Sequence, residues 1–195
     1  PESLLFLRMG DFYELFGDDA KVAARELGIT LTSRAKGTPD ALPMAGVPVK
    51  SVDGYLMRLV RKGFKVAICE QMEDPRTAKG IVDRQVVRVV TAGTLTEQEA
   101  LDEREPNWLA AAHVDSDRAG LAWVDLSTGR LVVSELPITD LLDELARVAP
   151  AELLWSPDVA ERQPELCAQV TQLLGRRVTE REPWRFARDG ALRAL

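Results

Sequence analysis

Apolar positions along this chain fall into short runs and stripes that predict two successive folding units. The run Leu4-Leu5-Phe6-Leu7 predicts a buried strand, Met9-Gly10-Asp11 a tight turn, and Phe12 to Phe16 a second strand, together a β-hairpin. On a strand, Phe12 and Glu14 share one face while Tyr13 and Leu15 take the other. On a helix the same spacing turns them apart and puts Phe12 beside Leu15 and Phe16 on a core face. The pattern leaves both arrangements open, with Phe12 either a core ring or an outward one and Glu14 either an ordinary solvated acid or a partner to that ring.

Further along, Asp18 is placed to cap a helix running to about Leu27, with Gly28 in the left-handed position after it. Ile29 to Thr32 predicts a strand. Ser33 to Pro48, with three prolines and two glycines, predicts a loop. Ser51 is placed to cap a helix from Val52 to Lys62, whose Val52, Tyr55, Leu56, Leu59 and Val60 form one apolar stripe. Gly63 ends it. Phe64 to Glu70 and Asp83 to Thr91 predict strands around a loop at Asp74-Pro75, with Val87 and Val89 on one side and Arg88 and Val90 on the other. This is a small mixed α+β unit.

Between Ala92 and Pro106 the periodicity gives way to Glu97, Glu99, Asp102, Glu103 and Glu105, so a domain boundary is expected there. The first domain is expected to span residues 1–105 with an acidic linker at 92–105, and the second 106–195. The second opens with three strand-like runs, Trp108 to Asp115, Gly120 to Leu126 and Arg130 to Leu136, which predict an antiparallel meander. A helix from Asp140 to Val148, a strand from Glu152 to Trp155, a helix around Pro164 to Leu174 and a basic tail with Arg176, Arg177, Arg181 and Arg185 come after it. A meander followed by alternating helix and strand predicts an α/β sheet. That pattern is unfinished at Leu195, so a truncated domain is expected.

Composition narrows the function. With 195 residues and 46% apolar content the chain suits one large or two small globular domains, and without a signal peptide or membrane-length apolar run it is expected to be cytoplasmic. Cys69 and Cys167 imply neither a disulfide framework nor a zinc site. The single His113 sits in an apolar run with no nucleophile pattern, so packing is its expected role. The net charge of −6 argues against a uniformly basic nucleic-acid binder. Lys50 to Arg88, however, holds nine basic against five acidic residues, either a phosphate-facing stripe or a solvated helix face.

The nonapeptide from Arg8 to Phe16, Arg-Met-Gly-Asp-Phe-Tyr-Glu-Leu-Phe, closely resembles the opening motif of the MutS family of bacterial DNA mismatch-repair proteins, whose hallmark is Phe-x-Glu. The resemblance continues through Asp18-Asp19-Ala20-Lys21, Leu31-Thr32-Ser33-Arg34, Pro43-Met44-Ala45-Gly46-Val47-Pro48, Ala67-Ile68-Cys69-Glu70-Gln71 and Val87-Arg88-Val89-Val90-Thr91. It runs more weakly into the second half. Several long motifs in order are far more specific than one short match.

What the resemblance implies is mismatch sensing through deformability. A faulty pair stacks poorly, so an aromatic wedge entering the minor groove disrupts it more cheaply than a sound one. The wedge falls to Phe12, and Glu14 would hydrogen-bond the displaced base while penalising intact duplex through its charge. Met9, Asp11, Arg34, Leu42, Met44, Lys50, Arg58 and Arg84 are backbone or groove contact candidates, Met44 being equally suited to a core. The second domain would be a ribonuclease H-like connector that relays DNA and nucleotide state and engages the partner MutL. The full-length family protein would be a homodimer associated with the nucleoid. No G-x-x-x-x-G-K-[ST] loop occurs, so the fragment is not expected to be an enzyme or to hold a cofactor; ATP and magnesium belong to the family's ATPase domain.

Two other readings compete. Asp115, Asp125 and Asp140 near strand ends suit a metal-dependent nuclease of ribonuclease H-like type. Alternatively the fragment is a protein-interaction module whose few phosphate contacts give it no useful DNA affinity in isolation.

Overall fold

The computed structural model describes residues 3–35, 37–73, 80–95 and 106–194. It divides into two compact units, Pro1–Thr91 and Ala92–Leu195. Both are mixed α and β, each built on one mixed sheet.

The first unit runs β1 (Ser3–Met9), β2 (Phe12–Phe16), α1 (Gly17–Leu27), β3 (Thr32–Arg34), β4 (Leu42–Pro48), α2 (Val52–Arg61), β5 (Lys65–Gln71) and β6 (Arg84–Val90), with sheet order β3-β4-β2-β1-β5-β6. β1 and β5 are parallel and every other pair is antiparallel. The expected hairpin forms, closing at Met9 and Phe12. Its two-residue turn needs Gly10 at φ 61°, where a side chain would be strained. Leu4, Phe6, Tyr13, Leu15, Ala45, Val47 and Val66 are buried on the face that α1 and α2 cover. The α2 stripe buries Leu56, Leu59 and Val60 as its spacing predicts.

Four local expectations change. The predicted loop from Ser33 to Pro48 contains β4, a strand inserted between β2 and β3. Its prolines sit at the margins, Pro48 closing the ladder opposite Phe12 and Pro43 facing the short edge strand opposite Ser33, so the central ladder keeps its donors. The strand expected at Ile29 to Thr32 begins only at Thr32. Asp18 lies inside α1 and pairs with Lys21 at 2.8 Å while Asp19 accepts from the Leu5 amide, and Ser51 holds the expected N-cap position of α2 without a capping bond, its hydroxyl donating to the Pro48 carbonyl. In β6 a bulge opposite Ile68 and Cys69 breaks the alternation, so Val86 and not Val87 joins Val89 on one face.

The second unit runs β7 (Trp108–Val114), β8 (Arg118–Asp125), β9 (Arg130–Pro137), α3 (Leu141–Val148), β10 (Glu152–Trp155), α4 (Val159–Arg162), α5 (Pro164–Leu174), β11 (Val178–Glu180) and α6 (Arg188–Ala194), with sheet order β11-β10-β7-β8-β9. The antiparallel meander forms as expected, and β10 lies parallel to β7. Leu121, Trp123, Leu153 and Trp155 pack with Leu141 and Leu145 of α3 and Leu166 and Val170 of α5. The basic tail contains β11, too short and too arginine-flanked to register as a strand from its pattern. Thr179 within it donates to the buried Glu152 carboxylate, whose other oxygen accepts from the Gly93 amide. That bond, and a Gly93 position where a Cβ would clash with Leu109 and Glu152, hold Ala92–Thr94 on this second unit. The rest of the acidic linker, 96–105, lies outside the described residues, as do Asp74 and Pro75.

Candidate nucleic-acid interface

Residues paired across an antiparallel ladder point to the same side of the sheet. The registers Met9↔Phe12, Leu7↔Glu14, Phe12↔Pro48, Glu14↔Gly46 and Phe16↔Met44 therefore gather Leu7, Met9, Phe12, Glu14, Phe16, Met44, Gly46 and Pro48 on the face that α1 and α2 leave open. The strand arrangement of Phe12 to Phe16 holds. Phe12 is 47% exposed, Glu14 is half-buried beside it, and Tyr13 and Leu15 are buried beneath.

The support under this pair is specific. The Tyr13 hydroxyl donates to Glu70 on β5, and the Arg8 guanidinium stacks 5.5 Å from the Tyr13 ring centre and lies 3.8 Å from the same carboxylate. Burial first, then the Glu70 hydrogen bond, pushes the Tyr13 phenol above its ordinary range. At the hairpin tip the Val49 amide donates to the Asp11 carbonyl at 2.9 Å, tying the end of β4 to the turn.

The other candidate contacts divide. Met9 and Met44 flank the pair, Asp11 is exposed at the turn, and Lys50 is exposed two residues past Pro48. Leu42 and Arg34 face each other at the β3 end of the same face, Arg34 reaching 5.8 Å from the Phe16 ring centre. Arg58 is elsewhere: on α2, behind the sheet, it donates to the Leu27 carbonyl that ends α1. Lys62 also reaches that end, bonding Glu26. Both answer the unpaired carbonyls and negative pole of a helix C-terminus, which accounts for part of the local basic excess. Arg84 donates to the Arg8 and Val82 carbonyls and to the Met9 sulfur. It braces the hairpin.

Two features of this face are nearly silent in the sequence. Gly46 lies beside Glu14, and its only signal is the Met-Ala-Gly-Val alternation inside a stretch whose prolines predict a loop. Val86 and Val89, exposed on β6, extend the apolar face beyond the hairpin.

The acids of the nuclease reading do not converge. Asp125 pairs in register with Trp108, at the opposite end of β7 from Asp115. Asp125 is buried and accepts from the Ser127 amide and hydroxyl, a turn that holds its carboxyl below the usual range. Asp140 accepts from Thr139. No group of three metal-ligating side chains occurs among the described residues. His113 is exposed on the open side of β7, so its expected packing role fails, because Ala112 and Val114 occupy the inward positions. Cys69 is buried, which raises its thiol above the ordinary range. No helix among the described residues is long and apolar enough to cross a membrane.

Comparison with known proteins gives two family matches, MutS domain I over residues 1–99 and MutS domain II over residues 107–195. The DNA mismatch repair protein MutS of Rhodopirellula baltica is 45% identical over all of this chain, and that of Desulforamulus reducens is 48% identical over 84% of it. The chain spans 23% and 19% of those two relatives. With nearly its whole length matched by consecutive domains of one family, the chain belongs to the MutS family.

Proposed function

We propose that the first unit binds mismatched or unpaired bases in duplex DNA, with Phe12 as the minor-groove wedge and Glu14 as hydrogen-bond acceptor for the displaced base. The observation that carries this is the shared orientation of the two side chains: a ring nearly half exposed, and a carboxylate one strand period away on the same open face. Stacking on a ring tolerates any base and contributes about 1–3 kcal/mol. The ring enters at least cost where stacking is already weak, so it discriminates by deformability and not by sequence. Arg34 and Lys50, near the same face, supply charge that gives affinity without discrimination. Arg58 and Arg84 donate to carbonyls within the unit, which favours a bracing role for both.

The test is Phe12→Ala in the full-length protein, measured by binding to a single-mismatch heteroduplex and to the matching homoduplex at one salt concentration. Loss of heteroduplex preference with homoduplex binding retained is expected; equal preference in the variant refutes the wedge.

For the second unit the proposal is a docking role toward MutL. Leu131 and Val133, exposed side by side on the open face of β9, support it. Val133→Glu is expected to weaken MutL binding, and unchanged binding removes the assignment.

A further inference from the structure

The neighbours of a side chain on a sheet decide from which direction it is reached. Phe12 lies between Met9 on β1 and Pro48 on β4, so its ring is flanked on both sides. Glu14 lies between Leu7 on β1 and Gly46 on β4. Leu7 fills the β1 side of the carboxylate, and on the β4 side there is no side chain.

Nothing in the fold requires that glycine. Gly46 is not among the positive-φ glycines, and the register runs without a bulge from Phe12↔Pro48 to Phe16↔Met44. A Cβ built there would lie 3.8 Å from both Glu14 Cγ and Phe12 Cδ1 and 3.4 Å from the Tyr13 carbonyl oxygen, all ordinary contact distances. Glycine weakens a strand interior, and where no turn or bulge needs it, its remaining use is the close approach of another group.

We infer that Gly46 is a specificity-determining residue: the base that Glu14 hydrogen-bonds lies over the Gly46 backbone, in the gap between Met44 and Pro48, with the Phe12 ring as one wall. This rests on the wedge reading of Phe12 and Glu14. A ring stacks without regard to in-plane direction, whereas a carboxylate needs its donor to arrive along one of its lone-pair directions. The gap provides that direction, and a single methyl group closes it.

The test uses Gly46→Ala and Gly46→Val in the full-length protein beside Phe12→Ala, with heteroduplex and homoduplex binding at fixed salt and thermal unfolding of each variant. Heteroduplex preference is expected to fall at least about tenfold in Gly46→Ala and further in Gly46→Val. Homoduplex affinity is expected to stay within about twofold, because phosphate contacts are untouched. The melting temperature is expected to hold or rise, since both replacements suit a strand better than glycine. Loss of function with gain of stability is the signature that a merely structural glycine would not give. Parental preference in Gly46→Ala, with preference lost in Phe12→Ala, overturns the role of Gly46 and leaves the wedge standing. Preference retained in Phe12→Ala overturns both. Should Gly46→Val fail to fold, Gly46→Ala decides.

Discussion

Two open sheet faces in this chain look alike by exposure and differ in what they carry. In the second unit Val133 and Leu131 of β9 are 71% and 58% exposed, more than Phe12 of β2 at 47%. Exposure by itself would choose β9. Two neighbouring aliphatic side chains offer a protein partner apolar area, however, and no directional contact for a base. On β2 the exposed ring has a carboxylate one strand period away, a gap beside that carboxylate, and a buried tyrosine between them tethered to β5. A probe is recognised by a ring beside its carboxylate and by the support beneath. On β9 the carboxylate one strand period from Val133 is Glu135, which is ion-paired with Arg118 and stands beside aliphatic side chains with no ring among them.

The covered faces set the largest expected effects and make the two units equal. Trp155 on β10 is 2% exposed, and Trp155→Ala is expected to destabilise the second unit by about 3–5 kcal/mol in denaturant unfolding. Leu15, fully buried on β2, is expected to cost the first unit about 2–5 kcal/mol on truncation to alanine. Phe12→Ala, three residues away on the opposite face, is expected to change unfolding by no more than about 0.5 kcal/mol while removing about 1–3 kcal/mol of heteroduplex preference. One strand then yields opposite consequences from its two faces. A Phe12 variant as destabilised as Leu15→Ala would make the ring a core residue and dissolve the contrast with β9.

Elements set by local periodicity are legible in the sequence. The hairpin is legible because a glycine turn separates two apolar runs, and α2 because its stripe repeats at helical spacing. The meander of β7 to β9 is legible for the same kind of reason. Features that stay hidden depend on partners distant along the chain. β4 is obscured by prolines that sit clear of the central ladder, and the face swap in β6 by a bulge that only the register with β5 reveals. In the site, the ring and the acid are readable from Phe-x-Glu. The fates of Arg58 and Arg84 are not, because a count of charges does not say which backbone carbonyl will accept them.

The smallest effect concerns the tether under the probe, and its size depends on pH. Tyr13→Phe removes the hydroxyl that donates to Glu70, a net loss of about 1 kcal/mol, since Glu70 keeps water and Arg8 for company. Burial and the Glu70 hydrogen bond both favour the neutral phenol, so the folded-state value lies above the unfolded one. A group raised in this way contributes its full stability below the unfolded value, about 10 for tyrosine, and loses it as pH rises through the folded value. The parent is therefore expected to exceed Tyr13→Phe in stability at pH 7, with the difference shrinking above about pH 10. Other titrating groups are common to both proteins and cancel in that difference. Denaturant unfolding at about pH 7, 9 and 10.5 checks it. A gap that stays constant across the range would mean that the phenol is not held neutral by its place under β2, and the first unit's open face would lose the support that separates it from the second's.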